Sequence, residues 1–180
     1  MDIYNALKKD HEELKSLLAE LVELESDDDY RMILIDQIQG ALVPHSRAEE
    51  SVFYNALRAA SSDRSDVFHS FKEHMEAETT LQGLKARNFT NIDWKPSALK
   101  LKEAIEHHIS EEEGKIFTSA KNLFSDQEVE MMGSAFEKLK ASVAQEGFLQ
   151  TSFDLVVNLM PPRFVQQIKK LTSSQSSLDR

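Results

Sequence analysis

Four stripes of apolar residues, recurring at three- and four-residue steps, run through this chain, and each carries a histidine on its apolar face. Residues three and four apart share one face of an α-helix, so each stripe reads as a helix with one side buried. The first is Ile3, Leu7, His11, Leu14, Leu18, Leu21, and the second is Leu34, Ile38, Leu42, His45, Glu49, Val52, Ala56. The third is Val67, Phe71, His74, Glu78, Leu81, and the fourth is Leu101, Ile105, His108, Glu112, Ile116. Polar, turn-forming segments separate them at Ser26 to Asp29, Ser61 to Asp63 and Asn88 to Pro96. No segment alternates with the two-residue period of a strand. The expected fold class is all-α, an up-down-up-down antiparallel four-helix bundle. Pro44, inside the second stripe, removes a helical hydrogen bond and predicts a kink just before His45 or a helix restarted there.

A fifth helix follows. Ser125-Asp126-Gln127-Glu128 has the form of a capping box, and Val129, Met132, Phe136, Leu139 and Val143 continue on one face. The expected organisation is a bundle with its fifth helix over residues 1–145, then a C-terminal helical extension and frayed tail over 146–180. The apolar stretch from Phe148 to Leu171 reads either as a cap packed on the bundle or as a homodimer or partner surface.

Spacing sharpens the reading. His11 and His74 are 63 residues apart, and so are His45 and His108. The same offset lays Lys9-Asp10-His11 on Lys72-Glu73-His74, and His45-Ser-Arg-Ala-Glu49-Glu50 on His108-Ile-Ser-Glu-Glu112-Glu113. Two helix pairs related in this way bring four histidines and two glutamates together by pseudo-twofold symmetry. In His45/Glu49, His74/Glu78 and His108/Glu112 the glutamate follows by four residues, one turn along the same face. Glu78 has no symmetric counterpart, because the offset maps it to Lys15. His69/Glu73 and His107/Glu111 share the spacing but fall off the stripes, so His69 and His107 read as surface residues.

Burying so many ionisable groups without compensation costs several kcal/mol for each unpaired charge, and a divalent cation removes that cost. Imidazole with carboxylate suits iron, manganese or zinc. The seven candidate ligands, His11, His45, Glu49, His74, Glu78, His108 and Glu112, exceed what a four-coordinate structural zinc needs and favour a two-metal centre, with iron first and Mn or Zn as alternatives. Ferritin-like bundles use Glu-x-x-His, and no histidine here has a glutamate three residues before it.

These residues resemble the hemerythrin family, specifically its HHE cation-binding domains. The resemblance rests on Asp10-His11-Glu-Glu-Leu14, the two His-x-x-x-Glu-Glu motifs ending in Phe53-Tyr54 and Ile116-Phe117, and the third-helix histidine, over about residues 1–145. It implies a non-haem di-iron site with two Fe per chain, bridged by an oxo or hydroxo group and carboxylates. The family's positions fall on His11, His45, Glu49, His74 and His108, with Glu112 as second bridging carboxylate. Oxygen-carrying hemerythrins place a fifth histidine where this chain has Glu78. A carboxylate there adds negative charge and favours the ferric state, which disfavours reversible oxygen carriage.

The functions expected are therefore binding or sensing of O2 or NO, or iron handling, at a di-iron site. A di-iron redox enzyme acting on peroxide, O2 or ferrous iron is the first alternative, with oxidase or peroxidase-type activity. A zinc-filled or metal-free interaction bundle is the second. Asp10, Tyr4, Tyr54 and Glu113 are candidates to orient the imidazoles, Glu113 reading more readily as solvated surface. Partners are expected to be a small diatomic ligand or a metal ion. The 31 acidic against 21 basic residues, a formal charge of −10, set the surface against nucleic acid and anionic membranes. The absence of cysteine excludes thiolate chemistry and disulfides, and no signal peptide or membrane span is legible, so a cytoplasmic protein is expected.

Overall fold

Helix α1 (Ile3–Glu23) begins where the Asp2 carboxylate accepts the Asn5 amide at 2.9 Å, and it buries Ile3, Leu7, His11, Leu14, Leu18 and Leu21 along one side. In this computed structural model, which describes residues 1–25, 29–62, 64–87, 93–146 and 160–165, the helices that follow are equally regular. Helix α2 (Asp29–Glu49) passes through Pro44 without being restarted. It continues through a π-helical turn, Glu50–Tyr54, into α3 (Asn55–Ala60). Helix α4 (Ser65–Arg87) returns the chain. Helix α5 (Lys95–Glu111), with Pro96 in its first turn, then runs through a second π-helical turn, Glu112–Ile116, into α6 (Phe117–Lys121). Helix α7 (Asp126–Glu146) starts at the capping box, where the Glu128 carboxylate accepts both the amide and the hydroxyl of Ser125 at 2.9 Å.

Helix α1 packs against α2 and α5, and α4 packs against the same two, which closes a four-helix ring. Short connections make chain neighbours antiparallel. Helix α7 lies outside the ring against α1 and α2, close enough that a Cβ on Gly133 would collide with the backbone of Met1, Asp2 and Ile3. Residues 160–165 cap one end: the Phe164 ring meets Phe124 edge-on at 5.6 Å, and Arg163 donates to the Leu123 carbonyl and to Glu128. The rest of the expected C-terminal extension lies outside the described residues. Among the described residues no helix is long and apolar enough to cross a membrane.

The buried core divides into two apolar clusters. One gathers Ile3, Leu7, Phe53, Tyr54, Phe117 and Phe136, and the other Leu14, Leu18, Ile38, Leu42, Leu81 and Ile105. Along α1, Leu7 belongs to the first and Leu14 to the second, so His11 sits at the seam. The other three histidines lie at the same level.

Candidate metal centre

All four stripe histidines are buried, His11 completely and His108 least so at 6% exposure. Each turns its Nδ1 outward to a carboxylate. His11 Nδ1 donates to Glu113 at 2.8 Å, His45 to Asp10 at 3.2 Å, His74 to Glu50 at 3.0 Å and His108 to Glu73 at 2.9 Å. A carboxylate can only accept, so the proton of the neutral ring resides on Nδ1 and the Nε2 lone pair faces inward. The 63-residue offset exchanges His11–Glu113 with His74–Glu50, and His45–Asp10 with His108–Glu73. The orienting contacts obey the same pseudo-twofold as the histidines.

Inside this ring lie Glu49 and Glu112, both fully buried. Glu49 Oε2 is 3.7 Å from His45 Nε2 and 3.4 Å from His74 Nε2, and Glu112 Oε2 is 3.2 Å from His11 Nε2. His74 and His108 bring their Nε2 atoms within 3.1 Å of each other. Two sets of three donor atoms, each within 4.8 Å of one another, result: His11, His45 and Glu49, and Glu49, His74 and His108. Glu49 belongs to both.

The donors fit a cation. Both oxygens of Glu49 and of Glu112, together with His11 Nε2, are buried without a hydrogen-bond partner, an arrangement that costs about 1–3 kcal/mol for each group unless something electropositive fills it. Two inward lone pairs 3.1 Å apart on His74 and His108 repel unless a proton or a metal ion lies between them. Burial and the adjacent Glu112 charge push the Glu49 carboxyl well above the usual carboxylate range. Glu112, despite its burial, is held low by Glu49 and His11. Burial pushes His45 down to about 4 and His74 downward too. It acts the same way on His11, where Glu112 and Glu113 outweigh it and raise the imidazole.

The π-helical turns begin beside the inner glutamates, the first at Glu50, one residue after Glu49, and the second at Glu112 itself. A π turn is wider than an α turn, and such turns are common at functional sites. Here the first lets Val52, Phe53 and Tyr54, three consecutive residues, all be buried. Phe53 and Phe117 meet edge-on at 5.8 Å, and the Tyr54 ring lies 5.9 Å from that of His74, so one end of the site is walled by aromatics. On the other side a cavity of about 20 Å³ is lined by the four histidines with Leu14, Leu42, Ala77 and Ile105. That is room for one water-sized or diatomic molecule.

Six of the seven candidate ligands therefore converge, and Glu78 is placed elsewhere. Arg47 Nη2 donates to Glu78 at 2.7 Å while Nη1 donates to Glu50 at 3.2 Å, so the guanidinium ties Glu78 to the outer ring. Asp10 and Glu113 orient imidazoles. Glu113 is not solvated surface, because its side chain is 24% exposed and bonded to His11. Tyr4 and Tyr54 bond no imidazole and pack in the aromatic wall. Glu50 and Glu73 were not legible as orienting residues one by one, yet the 63-residue offset maps them to Glu113 and Asp10. His69 and His107 lie on the surface, with side chains 54% and 64% exposed.

Fold and donor set together are those of a metal-binding helical protein, with the buried histidines and glutamates as its candidate ligands. The chain belongs to the hemerythrin HHE cation-binding domain family, whose profile matches residues 2–120. A crystal structure of a hemerythrin HHE cation-binding domain-containing protein from Mycobacterium kansasii has the same fold. The TM-score is 0.66 with 21% identity, over 89% of this chain and 99% of that one. A DNA nickase of Nostoc sp. is 25% identical over 145 residues, which are 81% of this chain and 41% of that protein. The chain thus spans about two fifths of the length of that relative.

Proposed function

We propose that this protein holds two iron ions in one buried centre and uses them to bind or sense a diatomic molecule, O2 or NO. The observation that carries the reading is Glu49, shared by two buried sets of donors whose oxygens have no other partner. His11 and His45 would serve one ion and His74 and His108 the other, with Glu49 and Glu112 bridging. Glu78 would stay with Arg47. Iron in such a site supplies one-electron redox chemistry and affinity for small oxidants.

The protein's own part is positional. Asp10, Glu50, Glu73 and Glu113 fix all four rings with Nε2 inward, and the buried apolar walls exclude bulk water. The cavity beside the four histidines is small, about 20 Å³, and suits a small ligand. This favours ligand binding or sensing over turnover of larger molecules. The nicking activity named for the Nostoc relative is not extended to this chain, whose charge of −10 opposes a phosphate backbone. Metal analysis with optical spectra of the protein, reduced under nitrogen and then exposed to O2 or NO, tests the reading. Near two irons per chain and a spectrum that changes with either gas are expected. Zinc, or no metal after anaerobic iron reconstitution, would overturn it.

A further inference from the structure

The outer carboxylates reveal an asymmetry between the two halves of the bundle. Asp10, behind His45, is neutralised from outside by Lys140 of α7, whose Nζ lies 2.7 and 2.9 Å from its two oxygens. Its pseudo-symmetric counterpart Glu73, behind His108, faces a side of the ring that α7 does not cover. There Glu73 Oε1 is 3.3 Å from His69 Nε2, and His69 Nε2 is 3.6 Å from Glu111 Oε2. The other oxygen of Glu111 is 3.6 Å from His107 Nε2. Among the described residues, only histidine nitrogens lie within ion-pair distance of Glu73 and Glu111. A neutral imidazole offers a lone pair and no counter-charge.

We propose that His69, Glu73 and Glu111, whose donor atoms lie within 4.8 Å of one another, form a second, solvent-facing site for a divalent cation of the zinc and ferrous iron class. The cation takes the place that Lys140 fills on the other half. The offset of 63 puts Ala6, Pro44 and Ala48 opposite His69, His107 and Glu111, so this donor set belongs to one half only. The spacing suits an ion. Metal bonds of roughly 2.0–2.2 Å in tetrahedral geometry set neighbouring donors about 3.4 Å apart, and the contacts of 3.3 and 3.6 Å stand at that separation. Mixed nitrogen and oxygen donors select a borderline metal over calcium or magnesium. A small surface cavity of about 20 Å³, lined by Asp66, His69, Ser70, Glu111 and Lys115, adjoins the donors, and the Lys115 ammonium is 2.6 Å from Asp66. Glu73 joins the two sites, one oxygen on His69 and the other on His108.

The test is Zn²⁺ stoichiometry by equilibrium dialysis on metal-free protein, comparing wild type with the double variant His69→Ala/Glu111→Ala and, separately, with His45→Ala/His108→Ala. Both surface positions are half-exposed on helices, where alanine is well tolerated. The surface double variant is expected to bind one Zn²⁺ fewer than wild type, and the buried-centre variant to retain one. Equal stoichiometry in wild type and the surface variant would overturn the proposal and leave the reading of the buried centre standing. A deficit in the buried-centre variant alone would instead assign all the zinc to the interior and overturn it equally.

Discussion

His45 Nδ1 donates to Asp10 at 3.2 Å, and Asp10 is in turn held by Lys140 of α7. Burial alone would raise the Asp10 carboxyl, and the bonds to His45 and Lys140 reverse this and keep it below the usual range. A helix outside the four-helix ring thus reaches the metal site through one carboxylate. The same relay, without the lysine, recurs at Glu73 and His108.

Removing one orienting carboxylate should weaken metal binding without disturbing the fold. Glu113→Gln is the clearest case, because among the described residues Glu113 bonds His11 and otherwise makes only a 3.8 Å contact with Lys8. An affinity loss of about 10- to 100-fold is expected in competition with a chelator, with an unchanged circular dichroism spectrum. An affinity equal to that of the wild type would show that His11 needs no external partner.

The inner ligands should separate stability from binding. In the metal-free protein Glu49→Leu removes a fully buried carboxyl whose oxygens have no partner. Metal-free stability should therefore rise by about 1–3 kcal/mol in urea unfolding. The stabilisation that metal gives the wild type should vanish in the variant. A metal-free Glu49→Leu protein less stable than the wild type would mean that Glu49 is satisfied in a way its geometry does not suggest.

Metal uptake should release protons, so affinity should rise with pH. Burial and Glu112 raise the Glu49 carboxyl well above the usual carboxylate range in the folded, metal-free protein, so a cation bound there competes with its proton. His45, at about 4, is already neutral near pH 7 and contributes none. For that histidine the folded pKa lies below the unfolded one, so its contribution to metal-free stability is present above pH 6.5 and is lost as pH falls through about 4. Titration calorimetry in buffers of different ionisation enthalpy reads the proton count directly. A binding heat independent of buffer would contradict this assignment.

The fold was legible because each helix repeats one pattern: apolar residues at helical steps with a histidine at the seam. The symmetry of the site was legible as well, in the offset of 63 residues. What periodicity could not reveal was the direction of polar side chains beside the stripe. Glu78 lies in phase with His74, yet the Arg47 guanidinium holds it at 2.7 Å, a contact between two helices that no spacing within one helix encodes. Glu50 is one residue past a ligand and out of phase, and it reaches His74 from the start of a π turn. Such turns depend on packing across the bundle and leave no local signature here.

The docking of α7 makes its own demand. Gly133 faces the first backbone atoms of the chain with no room for a methyl group. Gly133→Ala should lower stability by about 1–3 kcal/mol through displacement of the α1 start, despite the better helix propensity of alanine. Thermal unfolding measures this, and a raised midpoint would mean that the two segments separate easily.

The proposed position of Glu49 between two ions is accessible to Mössbauer spectroscopy of protein reconstituted with ⁵⁷Fe under nitrogen and then oxidised. Two irons per chain, antiferromagnetically coupled into a diamagnetic ground state in the wild type and uncoupled or lost in Glu49→Ala, are predicted. A single magnetically isolated ferric ion per chain in the wild type, unaffected by Glu49→Ala, would rule out a bridging Glu49.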